Sequence, residues 1–399
     1  MFARLEAPEA DPIIRLMAQF AEDPRHDKID LGVGVYRDAA GRTPVMAAVA
    51  AAEARILAAQ ETKGYFGLAG DPRFLVAMRG LLLGDGVDPG RLAAVAAPGG
   101  SGAIRQLLEL VRLAAPGATV WISRPCWPNH AAIADAVGLR LREYSYLGPA
   151  GDVDGAAMLA DLDGAAPGDV VVLHGCCHNP SGADPDAATW AALTDMAERR
   201  GFVPFVDVAY QGFGTGVEAD VAGLRHMAAR LPEMLIAASG SKSFGLYRER
   251  VGLAMALCAE AGAAGRVGGA LASLNRRNYA FPPDHGARVV TTILSDPVLR
   301  ADWEAELATL RARVATNRVA LAAALAEATQ SPAFAFLTRH RGMFSQLGLH
   351  PEAVLRLREA HGVYLVADGR INLAGLTPAT IGAAAEAVAA VLREAATAA

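Results

Sequence analysis

The segment 239–250 reads SGSKSFGLYRER and combines one lysine with three serines and two arginines. The amine of Lys242 could act as a nucleophile toward a carbonyl group. Serine hydroxyls and arginine guanidinium groups bind phosphate, and arginine does so through a planar, permanently charged fork. The segment therefore indicates either a reactive amine beside a phosphate site or a polar loop on the protein surface.

A glycine-rich turn, APGGSGAIRQLLELV at 97–111, opens a helical pattern. Backbone N–H groups at a helix N-terminus bind phosphate well, and glycines let the ligand approach closely. The turn is neither GxGxxG nor GxxxxGK[ST], so it favours neither a dinucleotide site nor a P-loop. Taken alone, it is also compatible with a plain helix start.

Two further turns carry groups that could contact a flat ligand. In RPCWPNH, at 124–130, Trp127 lies between two prolines and could stack on a ring or pack in the core. In HGCCHNPSG, at 174–182, an Asn-Pro-Ser-Gly turn would hold the amide of Asn179 toward a ligand oxygen. The histidines and cysteines of this second turn lack another properly spaced pair, so we expect no metal site.

Asp207 stands near the end of the apolar run VPFVDVAYQGFG, at 203–214. A carboxylate in such a strand is unfavourable unless it is paired with a positive group. No lysine or arginine occurs in the nine residues that follow it. A salt bridge to a local arginine is the ordinary arrangement, but this spacing favours a cation supplied by a ligand.

These segments follow apolar runs that alternate with helical patterns. We predict strands at 119–123, 169–175, 203–210, 234–241 and 251–258, and helices at 11–22, 45–60 and 300–330. A helix at 185–201 should begin at an Asp184 cap and end at Gly201. Further strands are expected near 343–347 and 370–374. The pattern predicts an α/β fold whose mainly parallel sheet is covered by helices on both faces, with a smaller α+β domain built from the chain ends.

Composition narrows the class of protein. The chain has 399 residues, a net charge of −5 and 53% hydrophobic residues, which gives no electrostatic case for nucleic-acid binding. No apolar run is long enough to span a bilayer, and the N-terminal segment has prolines and acidic residues where a signal peptide needs an apolar stretch. Four cysteines do not form a disulfide framework in a chain of this length. We therefore expect a cytoplasmic protein with neither nucleic-acid nor membrane partners.

In open α/β sheets, ligands bind at the carboxyl ends of the strands, where these turns are expected to meet. One ligand accounts for all of them: pyridoxal 5′-phosphate, which has an aldehyde, a basic ring nitrogen, a phenolic oxygen and a phosphate. The amine would take the aldehyde, the carboxylate the ring nitrogen, the tryptophan the ring face and the glycine-rich helix start the phosphate.

The motifs CHNPSG, DVAYQGF and SGSKSFGLYRERVG, in this order, resemble those of the class I pyridoxal-phosphate aminotransferases. LGVGVYRD, TKGYFGLAGDP, RPCWPNH, HGCCHNPSG, NRRNYAFPP and DGRINLAG look like the aspartate/aromatic amino acid aminotransferase group, and the resemblance spans residues 1–399. It implies a fold-type I transferase with a mainly parallel seven-stranded sheet. We expect an N-terminal arm and part of the small domain at 1–40, the large cofactor domain at 41–310 and the small C-terminal domain at 311–399.

The resemblance also implies roles for single residues. Lys242 matches the lysine that binds the cofactor and moves the substrate proton, Asp207 the partner of the ring nitrogen, and His130 the imidazole that supports this aspartate. Tyr210 and Asn179 match the residues that contact the phenolic oxygen, and Trp127 matches the ring that covers the cofactor. The remaining cofactor residues share a role at the phosphate and are Gly100, Ser101, Ser239, Ser241, Arg250 and Tyr65.

Tyr65 corresponds to a tyrosine that reaches the phosphate bound by the neighbouring subunit, so the resemblance implies a homodimer with shared sites. Arg370 matches the arginine that binds the α-carboxylate, with Gly34, Trp127 and Asn179 lining the substrate. Arg276 matches the arginine that crosses the interface to the distal carboxylate of an acidic substrate. Arg277 is adjacent and could take this role instead.

Substrate choice is indicated by a few positions. Gly64 stands where strict aspartate enzymes usually have asparagine, and Phe281 precedes the double proline where they have a polar residue. With NRRNY, these differences resemble the bacterial aromatic branch. We predict ping-pong transfer between tyrosine, phenylalanine, tryptophan or aspartate and 2-oxoglutarate, with a strict aspartate aminotransferase as the alternative.

Lyase or decarboxylase chemistry is less consistent with paired carboxylate-binding arginines. A ligand-binding regulator would need a DNA-binding domain, for which residues 1–30 are too short and insufficiently basic. A purely structural protein would have no need to keep Lys242, Asp207, Asn179 and Arg370 together.

Overall fold

The computed structural model describes residues 2–5 and 12–398. Residues 1, 6–11 and 399 lie outside the described residues, and with them part of the expected N-terminal arm and the first residue of the helix expected at 11–22. The chain divides into two compact units. The small unit contains the described residues up to Thr43, Arg313–Arg339 and those from Met343 onward, and the large unit contains Pro44–Ala312 and His340–Gly342.

The helices and strands follow one another along the whole described chain. The α-helices, numbered in chain order, are α1 Pro12–Glu22, α2 Ala47–Ala59, α3 Pro72–Leu83, α4 Gly99–Ala114, α5 Pro128–Val137, α6 Gly155–Leu162, α7 Ala187–Arg200, α8 Ala222–Arg230, α9 Ala261–Asn278, α10 His285–Ser295, α11 Pro297–Thr329, α12 Pro351–His361 and α13 Pro378–Ala398. The strands are β1 Ile29–Asp30, β2 Leu92–Pro98, β3 Thr119–Arg124, β4 Arg140–Ser145, β5 Val170–His174, β6 Val203–Val208, β7 Met234–Ser239, β8 Val251–Leu257, β9 Phe344–Gln346, β10 Val363–Tyr364 and β11 Arg370–Asn372. Short 3₁₀ helices occupy Phe2–Arg4, Pro89–Arg91, Ala219–Val221, Pro332–Thr338 and Leu373–Gly375.

Aspartates begin several of these helices, because a carboxylate just before the first turn accepts from its unpaired backbone N–H groups. Helix α7 starts in this way at Asp186, whose side chain accepts from Thr189 N, and ends at Gly201 in the left-handed region. The prediction that Asp184 caps this helix is wrong. Pro185 separates the two aspartates, and the Asp184 carboxylate turns instead to the backbone N–H groups of Cys177 and His178.

The large unit is built on a seven-stranded sheet in the order β2-β8-β7-β6-β5-β3-β4. Its strands are parallel except β8, which runs antiparallel to both neighbours. Strands β5, β7 and β8 are buried along their whole length, as expected when helices cover both faces. The predicted mainly parallel seven-stranded α/β fold is therefore confirmed.

One large cluster of buried apolar side chains joins the sheet to α4, α5 and α9. Val95, Val120, Val172 and Phe205 supply it from the strands, and Leu107 is among its members from α4. This packing holds the first residues of α4 at the sheet edge where β2 ends.

The small unit has two short sheets. β1 pairs with β10 in parallel and β9 pairs with β11 antiparallel. The buried Arg318 donates to the carbonyl oxygen of Phe344 and to Ser345 Oγ, at 2.5 and 2.6 Å. These bonds fix β9, the strand that pairs with the start of β11. Across residues 2–5 and 12–398, no helix is both long and apolar enough to cross a membrane.

Candidate active site

One edge of the large sheet collects the polar turns found in the sequence. Because β2, β3, β5, β6 and β7 run in the same direction, their carboxyl ends meet there, whereas the antiparallel β8 begins there. The residue before β8 therefore lies at the same edge as the residues after the other strands. The chain positions brought to this edge are Gly99, Gly100, Trp127, Asn179, Tyr210, Lys242 and Arg250.

Asp207, the penultimate residue of β6, is buried and pairs with a histidine from another segment. His130 Nε2 lies 3.1 Å from Asp207 Oδ2, and both side chains are at most 7% exposed. The other oxygen of Asp207, Oδ1, is buried and has no hydrogen-bond partner among the described residues. The carboxylate thus keeps one strong acceptor for a donor that the chain does not supply.

The electrostatics of this pair keep Asp207 charged. Burial would raise the pKa of the Asp207 carboxyl, but the hydrogen bond from His130 and the positive charges of His130 and Lys242 lower it below its usual value. For His130, burial opposes protonation, yet Cys126 and Asp207 outweigh it and raise its pKa. A carboxylate with a lowered pKa and one unpartnered oxygen is suited to a positively charged ring nitrogen.

Cys126, His130 and His174 form a chain of contacts behind Asp207. Cys126 Sγ lies 3.3 Å from His130 Nδ1 and 3.7 Å from His174 Nε2. On the far side of His174, the backbone N–H of Asn179 donates to Nδ1 at 3.3 Å. Burial holds the pKa of His174 well below its usual value, so this imidazole is neutral.

Lys242, the predicted nucleophile, follows β7 and is only partly buried. Its Nζ lies 5.1 Å from the ring centroid of Tyr210. Tyr210 is buried, and its hydroxyl accepts from Asn179 Nδ2 at 3.5 Å. Trp127 meets the ring of His130 edge-on, with 5.2 Å between the ring centroids. The structure thus brings the predicted amine, phenol, amide, carboxylate and tryptophan to one edge.

The predicted phosphate residues surround the start of α4. Arg250, in the left-handed region at φ 54°, points Nη1 at Ser241 Oγ, 3.3 Å away, and Ser241 N donates to Ser239 Oγ at 3.2 Å. A Cβ added to Gly99, at φ 74°, would overlap the guanidinium of Arg250, with Cζ at 2.7 Å. Gly100 and the partly buried Ser101 form the first turn of the helix.

The ring nitrogen and the phosphate of pyridoxal 5′-phosphate can each be compared with the residues at this edge. The buried, unpartnered Asp207 Oδ1 suits a ring N–H. The glycine-lined helix start beside Arg250 and the two serines suits a phosphate, because it combines N–H donors, hydroxyl donors and a fixed positive charge. The residues fit the cofactor at both ends.

Tyr65 and Arg276 are exposed, unlike the buried groups of this edge. Tyr65 is 84% exposed and stacks on Phe281, with ring centroids 4.4 Å apart and planes 14° from parallel. Arg276 and Arg277 are both exposed in the last turn of α9. Tyr65 and Phe281 line an open cavity of about 810 Å³ formed by 59–73 and 281–288 together with Ala96.

In the small unit, Arg370 begins β11 and is buried. Its Nη2 donates to the carbonyl oxygen of Gly32 at 2.8 Å, and its guanidinium lies 4.4 Å over the ring of Phe344. Gly34 packs against the same ring, since a Cβ there would be 3.0 Å from Phe344 Cζ. The predicted α-carboxylate arginine is therefore held rigidly, with the predicted Gly34 beside its aromatic platform.

Two groups of metal-type ligands come together in the described chain. One is Cys126, His130 and His174, and the other is Cys176, Cys177 and Asp220. Asp220 accepts from a series of backbone N–H groups of the preceding loop, which occupy its oxygens. His174 Nδ1 is likewise an acceptor, so its Nε2 carries the proton and presents no lone pair to an ion. Neither group has the free donors that a metal needs.

The sequence reasoning missed Cys126, His174, Gly99 and Gly252 as contributors to this edge. Cys126 and His130 are four residues apart across the start of α5, a spacing that places two side chains side by side. That signal was available in the sequence. The contact of Gly252 with Gly99 joins residues 153 positions apart, and only the sheet order reveals it.

Comparison with known proteins bears on the chemistry. A family model described as "Aminotransferase class I and II" matches residues 26–388. The chain is 50% identical over 389 residues to the aromatic-amino-acid aminotransferase of Paracoccus denitrificans, covering 97% of this chain and 99% of that protein. It is 43% identical over 396 residues to the aspartate aminotransferase of Salmonella typhi, covering 98% and 100%. It is also similar to the crystal structure of the aromatic-amino-acid aminotransferase from Burkholderia pseudomallei covalently bound to pyridoxal phosphate. For that structure the TM-score is 0.95 and the identity 40%, and the match covers 98% of this chain and 99% of that one.

Proposed function

The chain belongs to the class I and II aminotransferase family, and we propose that it transfers the amino group between aromatic amino acids or aspartate and 2-oxoglutarate. The cofactor is pyridoxal 5′-phosphate. The observation that carries the proposal is Asp207, a buried and ionised carboxylate with one unpartnered oxygen at the sheet edge that also holds Lys242. When bound, the cofactor supplies an electron sink that stabilises negative charge at the substrate α-carbon.

Each protein group has a task in this proposal. Asp207 Oδ1 accepts the ring N–H of the cofactor and keeps that nitrogen protonated, while His130 holds Oδ2. Lys242 binds the cofactor and then moves the proton at the substrate α-carbon. Tyr210 and Asn179, already hydrogen-bonded to one another, direct their polar atoms at the phenolic oxygen. Trp127 covers the ring.

The phosphate is assigned to the first turn of α4 and the loop before β8. Gly100, Ser101, Ser239, Ser241 and Arg250 would bind it through N–H, hydroxyl and guanidinium donors. Two contacts support this assignment. The guanidinium of Arg250 lies beside Ser241 Oγ, and the lack of a side chain on Gly99 leaves room for that guanidinium. This set would retain the cofactor while Lys242 is engaged with the substrate proton.

For the substrate, we propose that Arg370 binds the α-carboxylate, with Gly34 beside it. A buried guanidinium fixed by a carbonyl and an aromatic ring loses little freedom on binding a carboxylate. Arg276 is proposed for the distal carboxylate of aspartate and 2-oxoglutarate. Gly64 and Phe281 favour an aromatic substrate range. Gly64 leaves space beside Tyr65 because it has no side chain, and Phe281 places an apolar ring against Tyr65.

We further propose a homodimer in which Tyr65 and Arg276 serve the site of the other subunit. Both are exposed in the single chain, and Val45, Leu57 and Tyr65 expose 68%, 78% and 84% of their surface. Protein interfaces bury apolar and aromatic side chains of this kind, which supports the proposal. Light scattering measures the assembly directly. The cytoplasmic location is likewise proposed, and cell fractionation tests it.

The decisive experiment compares kcat/KM for phenylalanine and aspartate with 2-oxoglutarate as the acceptor. We expect both to be turned over by one protein, with parallel-line kinetics typical of ping-pong transfer. A phenylalanine value roughly 1,000-fold below that for aspartate would instead identify a strict aspartate aminotransferase. That second candidate is favoured by the 43% identical Salmonella typhi protein of that name.

A further inference from the structure

A buried amide lies where the end of α9 meets the large sheet. Asn275 exposes none of its surface, and its Nδ2 donates to the carbonyl oxygen of Leu68 at 2.8 Å and to that of Ala96 at 3.1 Å. Its Oδ1 accepts from the hydroxyl of Tyr279 at 2.5 Å. Because Nδ2 faces two carbonyl oxygens, only one orientation of the amide pairs all of its polar atoms.

The same network continues into α4. Gln106 is also buried, and its Nε2 donates to the hydroxyl of Tyr279 at 2.9 Å. The single hydrogen of that hydroxyl goes to Asn275, and its oxygen accepts from Gln106. Burial raises the pKa of Tyr279 to about 12, so the hydroxyl keeps this hydrogen at neutral pH. Side chains therefore bond the end of α9 to the helix whose first turn is assigned to the phosphate.

Asn275 joins the two segments that are proposed to serve the other subunit. Arg276 follows it directly in α9, and the carbonyl that it binds, that of Leu68, lies three residues beyond Tyr65. The rings of Tyr65 and Phe281 stack at the surface and connect the same two segments a second time. The two exposed side chains thus stand on backbone that one buried amide ties together.

We propose that Asn275 is a positioning residue for substrate binding: its amide holds the end of α9 and the segment after Tyr65 as one rigid unit, from which Arg276 reaches the distal carboxylate of an acidic substrate. Because the side chain of Arg276 is exposed, the backbone sets its starting position. A side chain on fixed backbone loses less freedom when it binds. This inference rests on the proposed role of Arg276 and on the proposed homodimer.

Loss of the amide has two separate effects. An apolar replacement leaves the carbonyl oxygens of Leu68 and Ala96 and the hydroxyl of Tyr279 without this partner, which lowers the stability of the fold. The end of α9 also moves more freely, and this affects a substrate that needs Arg276 more than one that does not. Stability and substrate preference therefore report different things, and the preference reports positioning.

The test compares Asn275→Leu with Asn317→Leu. Asn317 is the matched control, because its buried Nδ2 also donates to two backbone carbonyl oxygens, those of Leu373 and Leu376, within the small unit. In the holoenzyme, Asn275→Leu should raise KM for aspartate about tenfold and keep kcat/KM for phenylalanine within about twofold. Asn317→Leu should lose comparable stability in thermal unfolding without changing the ratio of the two kcat/KM values.

A double-mutant cycle asks whether the effect passes through Arg276. In the Arg276→Ala background, Asn275→Leu should cause no further loss of kcat/KM for aspartate, because the side chain that it positions is gone. Tyr279→Phe removes only the hydroxyl and should lower kcat/KM for aspartate about threefold. This milder variant decides the question if Asn275→Leu does not fold.

Hydrogen exchange of the cofactor-free protein gives a readout that does not depend on the reaction. Backbone amides of residues 65–70 and of residues 276–279 should both exchange faster in Asn275→Leu, because one side chain holds both segments. In Asn317→Leu their exchange should be that of the unmodified protein.

Equal losses for aspartate and phenylalanine, or additive losses in the cycle, would overturn the proposal and leave Asn275 with a role in stability alone. Unchanged exchange of the two segments would overturn it as well. A protein without transamination of any substrate would reject the proposed function. Faster exchange of both segments would in that case still show the rigid unit, whereas unchanged exchange would reject both proposals.

Discussion

Gly252 and Gly99 meet backbone to backbone where β2 ends and α4 begins: a methyl group on Gly252 would overlap the carbonyl oxygen of Gly99. Gly252 lies in β8 and is paired with β2 on one side and β7 on the other. The strand backbone at Gly252 is therefore held on both sides and cannot move to make room, and the first turn of α4 depends on the absence of a side chain at Gly252.

Gly252→Ala should displace the start of α4 and weaken cofactor binding at least about tenfold, with a loss of about 1–3 kcal/mol in stability. Cofactor titration followed by fluorescence, together with thermal unfolding, measures both. Gly265→Ala is the control, since this exposed glycine in α9 has open space around it and alanine favours helix. Wild-type cofactor affinity in Gly252→Ala would show that the contact is not needed.

Lys242 is one of only three lysines in the chain, with Lys28 and Lys63. Borohydride reduction of the holoenzyme should attach the cofactor to the peptide that contains Lys242 and to neither of the others. Lys242→Ala should lose turnover but still bind the cofactor through the phosphate residues. Peptide mass mapping decides the first point, and labelling of Lys28 or Lys63 would refute the assignment.

Asp207→Asn should lower kcat by about 100-fold or more, because the amide cannot stabilise a positive charge on the cofactor ring nitrogen. Asp169→Asn is the matched control. Asp169 is also buried and hydrogen-bonded, but it precedes β5 and therefore lies at the opposite edge of the sheet. Asp169→Asn should lose stability in thermal unfolding but keep its kcat in steady-state kinetics. Equal losses of kcat in both variants would count against the role of Asp207.

Arg276→Ala should reduce kcat/KM for aspartate by about 10- to 100-fold, the value of a charged hydrogen bond, and change that for phenylalanine far less. Arg277→Ala, one residue further along the exposed end of α9, is the control. The two substrates must be compared in the same preparation. If the aspartate-specific loss appears in Arg277→Ala instead, the assignment moves by one residue.

The ion pair of His130 and Asp207 predicts a pH dependence of stability in the cofactor-free protein. Folding raises the pKa of His130 from 6.5 to about 10, so the stabilisation is complete below about pH 6.5 and is lost as the pH rises through 10. Folding lowers the pKa of Asp207 from 3.8, so its contribution is lost as the pH falls below that value. The Tm difference between the unmodified protein and His130→Gln should therefore shrink between pH 6.5 and 10. The exposed His226→Gln variant should follow the unmodified protein across this range.

Much of the fold follows from periodicity. The predicted strands at 119–123, 169–175, 203–210, 234–241 and 251–258, and the helices at 45–60 and 300–330, agree with the structure to within three residues. β2 and β4 were not predicted. The alanine-rich LAAVAAP of β2 has no strong strand preference, and the mostly exposed RLREYS of β4 lies at the sheet edge, where burial leaves no apolar signature.

The site was only partly predictable. Asp207 was identifiable because a lone carboxylate in an apolar strand is unfavourable without a partner, but the partner, His130, is 77 residues away in the chain. Motif resemblance supplied that pairing, whereas residue patterns alone did not. His174 was considered only as a possible metal ligand and Cys126 was not considered, because their contacts with His130 depend on how the strands are arranged in the sheet.

The reversed direction of β8 also bears on how the protein folds. β7 and β8 are joined by the short loop that carries Lys242 and Arg250, whereas the parallel neighbours are connected through helices. Closing a short loop loses less chain entropy than bringing distant segments together, so such pairs form early. We expect this hairpin to bring Lys242 and Arg250 together before β6 pairs with β7 and places Asp207 beside them. During folding, part of the proposed phosphate site would therefore form before the catalytic groups are assembled.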